Sequence, residues 1–178
     1  DGIKKDITDI KYLICLEDLF LSNNRSIKDY KVLSFLLKLK HLSLDKNNLT
    51  DISFHKYITK NIISLSLMNN GIVNISCLAG FTKLEWLFLS NNEITSLKGL
   101  ESLEKLEDLS IDGNSIILDD LKYIEKICYK KVLRKLYIDR KVFGEYGKHF
   151  ALYPEYFQWI DWIYFYEDDG SVTEWCNE

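Results

Sequence analysis

Apolar residues recur along this chain in one fixed arrangement. In Leu84–Ile94, LEWLFLSNNEI, leucines take the first, fourth and sixth places, Asn92 the ninth and Ile94 the eleventh. The same order appears in LEDLFLSNN from Leu16, LKHLSLDKNNL from Leu39, IISLSLMNNGI from Ile62 and LEDLSIDGNSI from Leu106. These starts lie 23, 23, 22 and 22 residues apart. A sixth, degraded copy, LRKLYID from Leu133, lacks the Asn. Alternation at Leu87 and Leu89 predicts a short strand with one apolar face. A strand this short cannot bury that face alone, but stacked copies make a continuous core in which each Leu contributes about 1.5–3 kcal/mol. The Asn column (Asn24, Asn47, Asn70, Asn92, Asn114) follows each strand. There its side chain can bond backbone groups as the chain turns, which makes the column structural. In the first copy Ile27 arrives one residue late, which predicts a one-residue bulge.

Past the fifth strand the period breaks. Asp119–Lys131 carries apolar residues at Leu121, Ile124, Ile127 and Cys128, a helical spacing with Asp119 or Asp120 as the expected N-cap. Residues 143–178 then hold 12 of the 24 aromatic residues, a shift in composition that divides the chain into 1–142 and an aromatic extension, 143–178. Within the extension, Tyr153–Trp159 reads as a short helix with Pro154 in its first turn. Trp162–Tyr166 and Val172–Cys176 read as a hairpin closed at Asp169–Gly170. A two-residue turn pairs Tyr166 with Thr173 and Tyr164 with Trp175, and places Trp162, Tyr164, Tyr166 and Trp175 on one face. The hairpin either seals the end of the repeat stack or offers an aromatic face and a free strand edge for docking.

The repeats resemble the leucine-rich repeat, L-x-x-L-x-L-x-x-N-x-I/L, over about residues 3–139. Their short period is similar to the 22-residue class that includes bacterial internalins and the regulatory subunit of type-1 protein phosphatase. The resemblance implies an α/β solenoid: a curved right-handed coil, a parallel sheet of about six strands on its concave face, and function as a protein-binding module. The helix followed by VLRKLYIDRKV resembles, loosely, the C-terminal cap of cytosolic leucine-rich-repeat adaptors, which covers the last open strand.

In such a solenoid the residues alternating with the leucines line the concave face. Met68, Trp86 and Phe88 cluster at its centre, with Ser64, Ser66, Ser90 and Ser110 leaving room for a partner's side chains. Phe20 and Tyr137 lie toward the ends, and Asp45, Asp108, Asp112 and Asp139 surround the cluster. Exposed aromatics rimmed by carboxylates match the anatomy of a protein-binding hot spot. The expected contact residues are Trp86, Phe88, Met68, Phe20, Tyr137, Asp108, Asp112 and Asp45, and the carboxylates select a partner with a basic contact surface. The competing reading is that the chain's own tail covers Trp86 and Phe88.

Charge and composition narrow the alternatives. A net charge of −4 argues against non-specific nucleic-acid binding. Lys122, Lys126 and Lys130 form a ridge that reads first as a solvated helix face. No apolar run reaches the roughly 18 residues of a membrane span. The first ten residues, DGIKKDITDI, carry no apolar h-region, so the expected location is cytoplasmic, or secreted if an upstream signal has been removed. Cys15, Cys77, Cys128 and Cys176 lack metal-ligand spacing and read as mostly buried thiols in a reducing compartment. Asp18, His41 and Ser64 fall side by side on neighbouring strands, but no nucleophile turn or oxyanion hole accompanies them. No enzymatic activity, metal or cofactor is expected. The reading is a monomeric adaptor or regulatory subunit, with a dedicated inhibitor of a basic enzyme, or a secreted adhesin of internalin type, as alternatives.

Overall fold

The computed structural model describes residues 7–142, 144 and 159–176. Its framework is one eight-stranded sheet in sequential order. Strands β1 (Asp18–Phe20), β2 (His41–Ser43), β3 (Ser64–Ser66), β4 (Trp86–Phe88) and β5 (Asp108–Ser110) have three residues each. Strands β6 (Lys135–Asp139), β7 (Trp162–Tyr166) and β8 (Val172–Cys176) have five. Strands β1 to β7 are parallel, and only β8 runs back. The pairing outruns the assigned strands, since Leu44 N–H donates to Ser66 O and Lys46 N–H to Met68 O, both at 2.9–3.0 Å. The chain returns from strand to strand through short 3-10 turns such as Ser76–Gly80 and, between β5 and β6, through an α-helix, α1 (Lys122–Cys128); residues 140–142 are helical again after β6.

Register explains the fold. Leu42, Leu65, Leu87, Leu109 and Leu136 pair in sequence across the sheet and are all buried. Leu44, Leu67 and Leu89 form a second buried row, and Ile75, Leu78, Leu97 and Leu100 close the core from the convex side.

Each turn after a strand is built from two adjacent residues. The first adopts positive φ: Asn23, Lys46, Asn69, Asn91 and Gly113, between 55° and 65°. Asn and Gly tolerate this left-handed conformation, which accounts for the recurring Asn-Asn pairs. At Gly113 a Cβ would also collide with Asn91 Oδ1. The second residue is the Asn of the repeat. Buried Asn92 donates to Leu67 O and Leu89 O, both at 2.9 Å, and accepts from Ile72 N–H at 3.0 Å. Asn47, Asn70 and Asn114 likewise reach back to Leu21 O, Leu44 O and Leu89 O of the preceding turn. The column therefore ties each repeat to the one before it. In the first two copies the next Asn also accepts from the Asn backbone itself: Asn47 Oδ1 from Asn24 N–H and Asn70 Oδ1 from Asn47 N–H.

Several sequence expectations change. The helix is shorter than Asp119–Lys131, because a 3-10 turn (Leu118–Leu121) precedes α1. Asp120 is not its N-cap. It is buried, and its carboxylate accepts from Ser96 Oγ and from Leu97 N–H at 2.8 Å, pinning the helix entry to the preceding repeat. The segment after the helix does not end the sheet: β6 pairs along its full length with β7. The hairpin turn is five residues, 167–171, rather than two. It pairs Tyr166 with Val172 and Tyr164 with Glu174, one step away from the expected register. A one-residue slip exchanges faces, so Trp175 sits opposite Ile163 on the face away from Trp162, Tyr164 and Tyr166. Of the thiols, only Cys128 is buried; Cys15 is exposed and Cys77 and Cys176 are intermediate. The expected helix at 153–159 lies almost wholly outside the described residues.

Candidate functional site: the concave face

Strand register fixes which side chains share the concave surface. One row reads Asp18, His41, Ser64, Trp86, Asp108, Lys135, Trp162, and the next Phe20, Ser43, Ser66, Phe88, Ser110, Tyr137, Tyr164. A third row, two residues further along, contains Asp45, Met68, Ser90, Asp112, Asp139 and Tyr166. With eight strands about 4.8 Å apart, the surface is about 34 Å long rather than the 25 Å that six strands give.

The rows separate into a polar N-terminal half and an aromatic C-terminal half. Trp86 and Phe88 are half-buried on β4, with Met68 on the adjacent strand. Trp86 stacks on His41, centroids 6.0 Å apart. Phe20 is 72% exposed at the far edge of the sheet, three strands from Trp86. Tyr137 does not join the Trp86 cluster. It stacks face to face on Tyr164 of β7, at 4.4 Å and 6° between planes, and Trp162 lies 6.2 Å from Tyr164. The described part of the tail thus continues the sheet beside β6; it does not cover Trp86 and Phe88.

The small polar residues are only partly open: Ser64 and Ser66 are half-buried, whereas Ser43, Ser90 and Ser110 are buried. Asp112 is also buried, accepting from Ser90 Oγ at 2.6 Å and Ser110 Oγ at 3.0 Å. Asp45 accepts from Ser66 Oγ at 2.6 Å, Met68 N–H at 2.8 Å and Ser43 Oγ at 3.1 Å. These two carboxylates chiefly hold the sheet surface together, and Asp112 is withdrawn from the exposed rim where the sequence placed it. Asp108 faces outward, 3.6 Å from the Lys135 ammonium. Burial pushes its carboxyl above the usual range despite that lysine. Burial also raises Asp139, partly offset by Gly113 N–H, which donates to its two oxygens at 3.0 and 3.1 Å.

His41 is not arranged for nucleophilic catalysis. Its Nε2 is turned toward Asp18 at 3.9 Å, beyond hydrogen-bonding distance, and its ring lies against Trp86. Among the described residues no group of three His, Cys, Asp or Glu side chains could hold a metal ion. No helix among them is long and apolar enough to cross a membrane. The basic ridge is interrupted: Lys130 lies past α1 and donates to Glu101 O, while Lys122 and Lys126 approach the Tyr123 ring at 5.3 and 5.2 Å.

Sequence reasoning missed that Trp162, Tyr164 and Tyr166 belong to the concave surface. A signal was present. Ile160, Ile163 and Phe165 keep the one–four–six spacing of the repeat, with Ile and Phe in place of Leu, and all three are buried. The copy is disguised by its spacing of 27 residues from Leu133.

Comparison with known proteins agrees with this geometry. A family model of leucine-rich repeats in two copies matches residues 82–126. A search of curated proteins finds no match. Internalin C2 of Listeria monocytogenes superposes with a TM-score of 0.63 at 30% identity, over 78% of this chain and 61% of that one. A leucine-rich-repeat protein of Leptospira interrogans gives 0.60 at 25% identity over 74% of this chain and 34% of that one. A second Listeria internalin, InlF, gives 0.57 at 25% identity over 76% and 45%. The chain therefore spans about one third to three fifths of the length of these structures.

Proposed function

We propose that this leucine-rich-repeat protein is a non-enzymatic module that binds a protein partner on its concave face. Proteins of this family generally mediate protein–protein interaction, and the repeat sets the shape while the variable positions select the client. The observation that carries the reading is the outward pair Trp86 and Phe88 at mid-sheet. Large aromatics at the centre of an exposed surface are the residue type on which binding energy concentrates. The surface is also strongly polarised. Its rows hold five carboxylates that reach the surface (Asp18, Asp45, Asp108, Asp139, Glu174) and buried Asp112, against one lysine, Lys135. That is −5 out of a whole-chain charge of −4, leaving about +1 for everything else. Such a face favours a partner with a basic contact surface, chiefly through association rate and selectivity.

Within this reading the chain acts as an adaptor or regulatory subunit, monomeric and cytoplasmic. The four free thiols are compatible with a reducing compartment. A secreted adhesin-type role is the second reading, favoured by the likeness to internalin C2; an upstream signal in the full open reading frame decides between them. The test of docking is affinity purification with wild-type protein, Trp86→Ala and a convex-side control, Lys98→Ala. The expected result is a partner retained by wild type and control and lost with Trp86→Ala, with the variant's thermal midpoint nearly unchanged. Equal capture by all three overturns the proposal.

A further inference from the structure

Among the described residues, aromatic side chains gather most densely in the block built where β6 meets β7. Tyr137 and Tyr164 lie in register and stack plane to plane, and Trp162 and Tyr166 flank Tyr164 along β7. All four are half-buried and lie on the concave side. Tyr137, Tyr164 and Trp162 spend ring faces on one another, so the block suits an extended chain laid across it better than a single inserted ring.

Carboxylates bracket this block. Asp108 stands on β5 to one side, Asp139 lies within β6, and Glu174 of β8 is paired directly opposite Tyr164. The only cation of the concave rows, Lys135, is turned to Asp108. Asp108 and Asp139 are both shifted toward their neutral forms by burial, so their charges are under-compensated within the protein.

Resting on the docking role of the concave face, we propose that this block seats an extended segment of the protein partner carrying arginine or lysine at alternate positions. From β5 to β8 is about 14 Å, which an extended chain covers in four to five residues. Alternate side chains of that segment point at the sheet. They meet the carboxylates on either side while the backbone and aliphatic stems pass over the rings. Arginine is favoured over lysine, because its planar guanidinium bonds a carboxylate through two N–H groups.

The experiment uses the full chain labelled with nitrogen-15 and a defined probe, the acetylated and amidated peptide Arg-Ser-Arg-Ser-Arg, with Glu-Ser-Glu-Ser-Glu as control. The expected result is amide shift changes concentrated in β6, β7 and β8. Binding should weaken about tenfold in the double variant Asp108→Asn, Glu174→Gln, and again on raising salt from about 50 to about 300 mM. Tyr164→Ala should weaken it too, and the acidic peptide should leave the spectrum unchanged. Shifts spread over other acidic surface, or an affinity indifferent to the double variant, overturn the inference. If the arginine peptide fails while Trp86→Ala still loses the purified partner, this inference falls and docking on the concave face stands. If the peptide binds at the block but capture ignores Trp86, the docking centre at β4 falls and the basic-segment site stands.

Discussion

Replacing Asn92 by Ala tests how the repeats are coupled. Asn92 is buried, and its amide donates to Leu67 O of the preceding repeat and to Leu89 O of its own at 2.9 Å each, with a longer contact to Ser90 O at 3.4 Å. Its Oδ1 accepts from Ile72 N–H at 3.0 Å. Leu67, Ile72 and Leu89 have no exposed surface, so water cannot replace the lost partners. Three good hydrogen bonds contribute about 1 kcal/mol each, and an orphaned buried N–H adds about 1–3 kcal/mol. The expected loss is about 4–6 kcal/mol, a large share of the roughly 5–15 kcal/mol available to a domain. Asn24 supplies the control. It begins the column, is half-exposed, and its amide reaches only Leu21 O and Ser22 O of its own turn. Asn24→Ala should cost about 1–2 kcal/mol. Urea unfolding followed by circular dichroism measures both, with equal m-values required for the comparison. Equal losses at the two positions would refute the claim that the Asn column joins successive repeats.

Arg140 holds the hairpin: its Nε meets Glu167 at 3.0 Å, its Nη2 donates to Thr173, and its guanidinium lies 4.0 Å over the Phe165 ring. Arg140→Ala should speed hydrogen exchange in β7 and β8 by about tenfold while leaving β2 to β4 unchanged; uniform acceleration would contradict this. The raised carboxyl of Asp108 gives a pH signature. In its titration window above 3.8 the folded state holds the proton more tightly than the unfolded chain, so the contribution of this group is present at low pH and lost as pH rises through the folded value. Asp108→Asn should therefore gain stability relative to wild type between pH 3 and pH 7 by urea midpoints, and a relative loss would refute the assignment. Burial pushes the Cys128 thiol up to about 12, so at pH 8 a thiol reagent should modify exposed Cys15 readily and Cys128 only after unfolding. Early labelling of Cys128 in mass spectrometry would show that α1 opens.

The solenoid was legible because its signal repeats: strand positions, the leucine core and the Asn column followed from period and alternation. The left-handed residue before each Asn was visible as Asn-Asn and Gly-Asn but not interpretable without φ, least of all at Lys46-Asn47. The seventh parallel strand was hidden because Ile160, Ile163 and Phe165 replace leucine after a longer gap, and aromatic density drew attention to a hairpin instead. The hairpin's register depended on a turn length that Asp169–Gly170 alone does not determine. Within the candidate site, Trp86, Phe88, Met68 and Asp108 were placed correctly on the concave face by alternation alone. Asp112 was misjudged because alternation gives direction and not depth: beside two serines a carboxylate is drawn into their hydroxyls and sealed there.

The most direct measurement is hydrogen exchange of the chain alone and in complex with the partner retained by affinity purification. The account predicts slowed exchange confined to the strands that carry Trp86, Phe88, Tyr137 and Tyr164, with the convex turns around Ser76–Gly80 unchanged. Protection of those convex turns, with β4 to β7 exchanging as in the free protein, would contradict it.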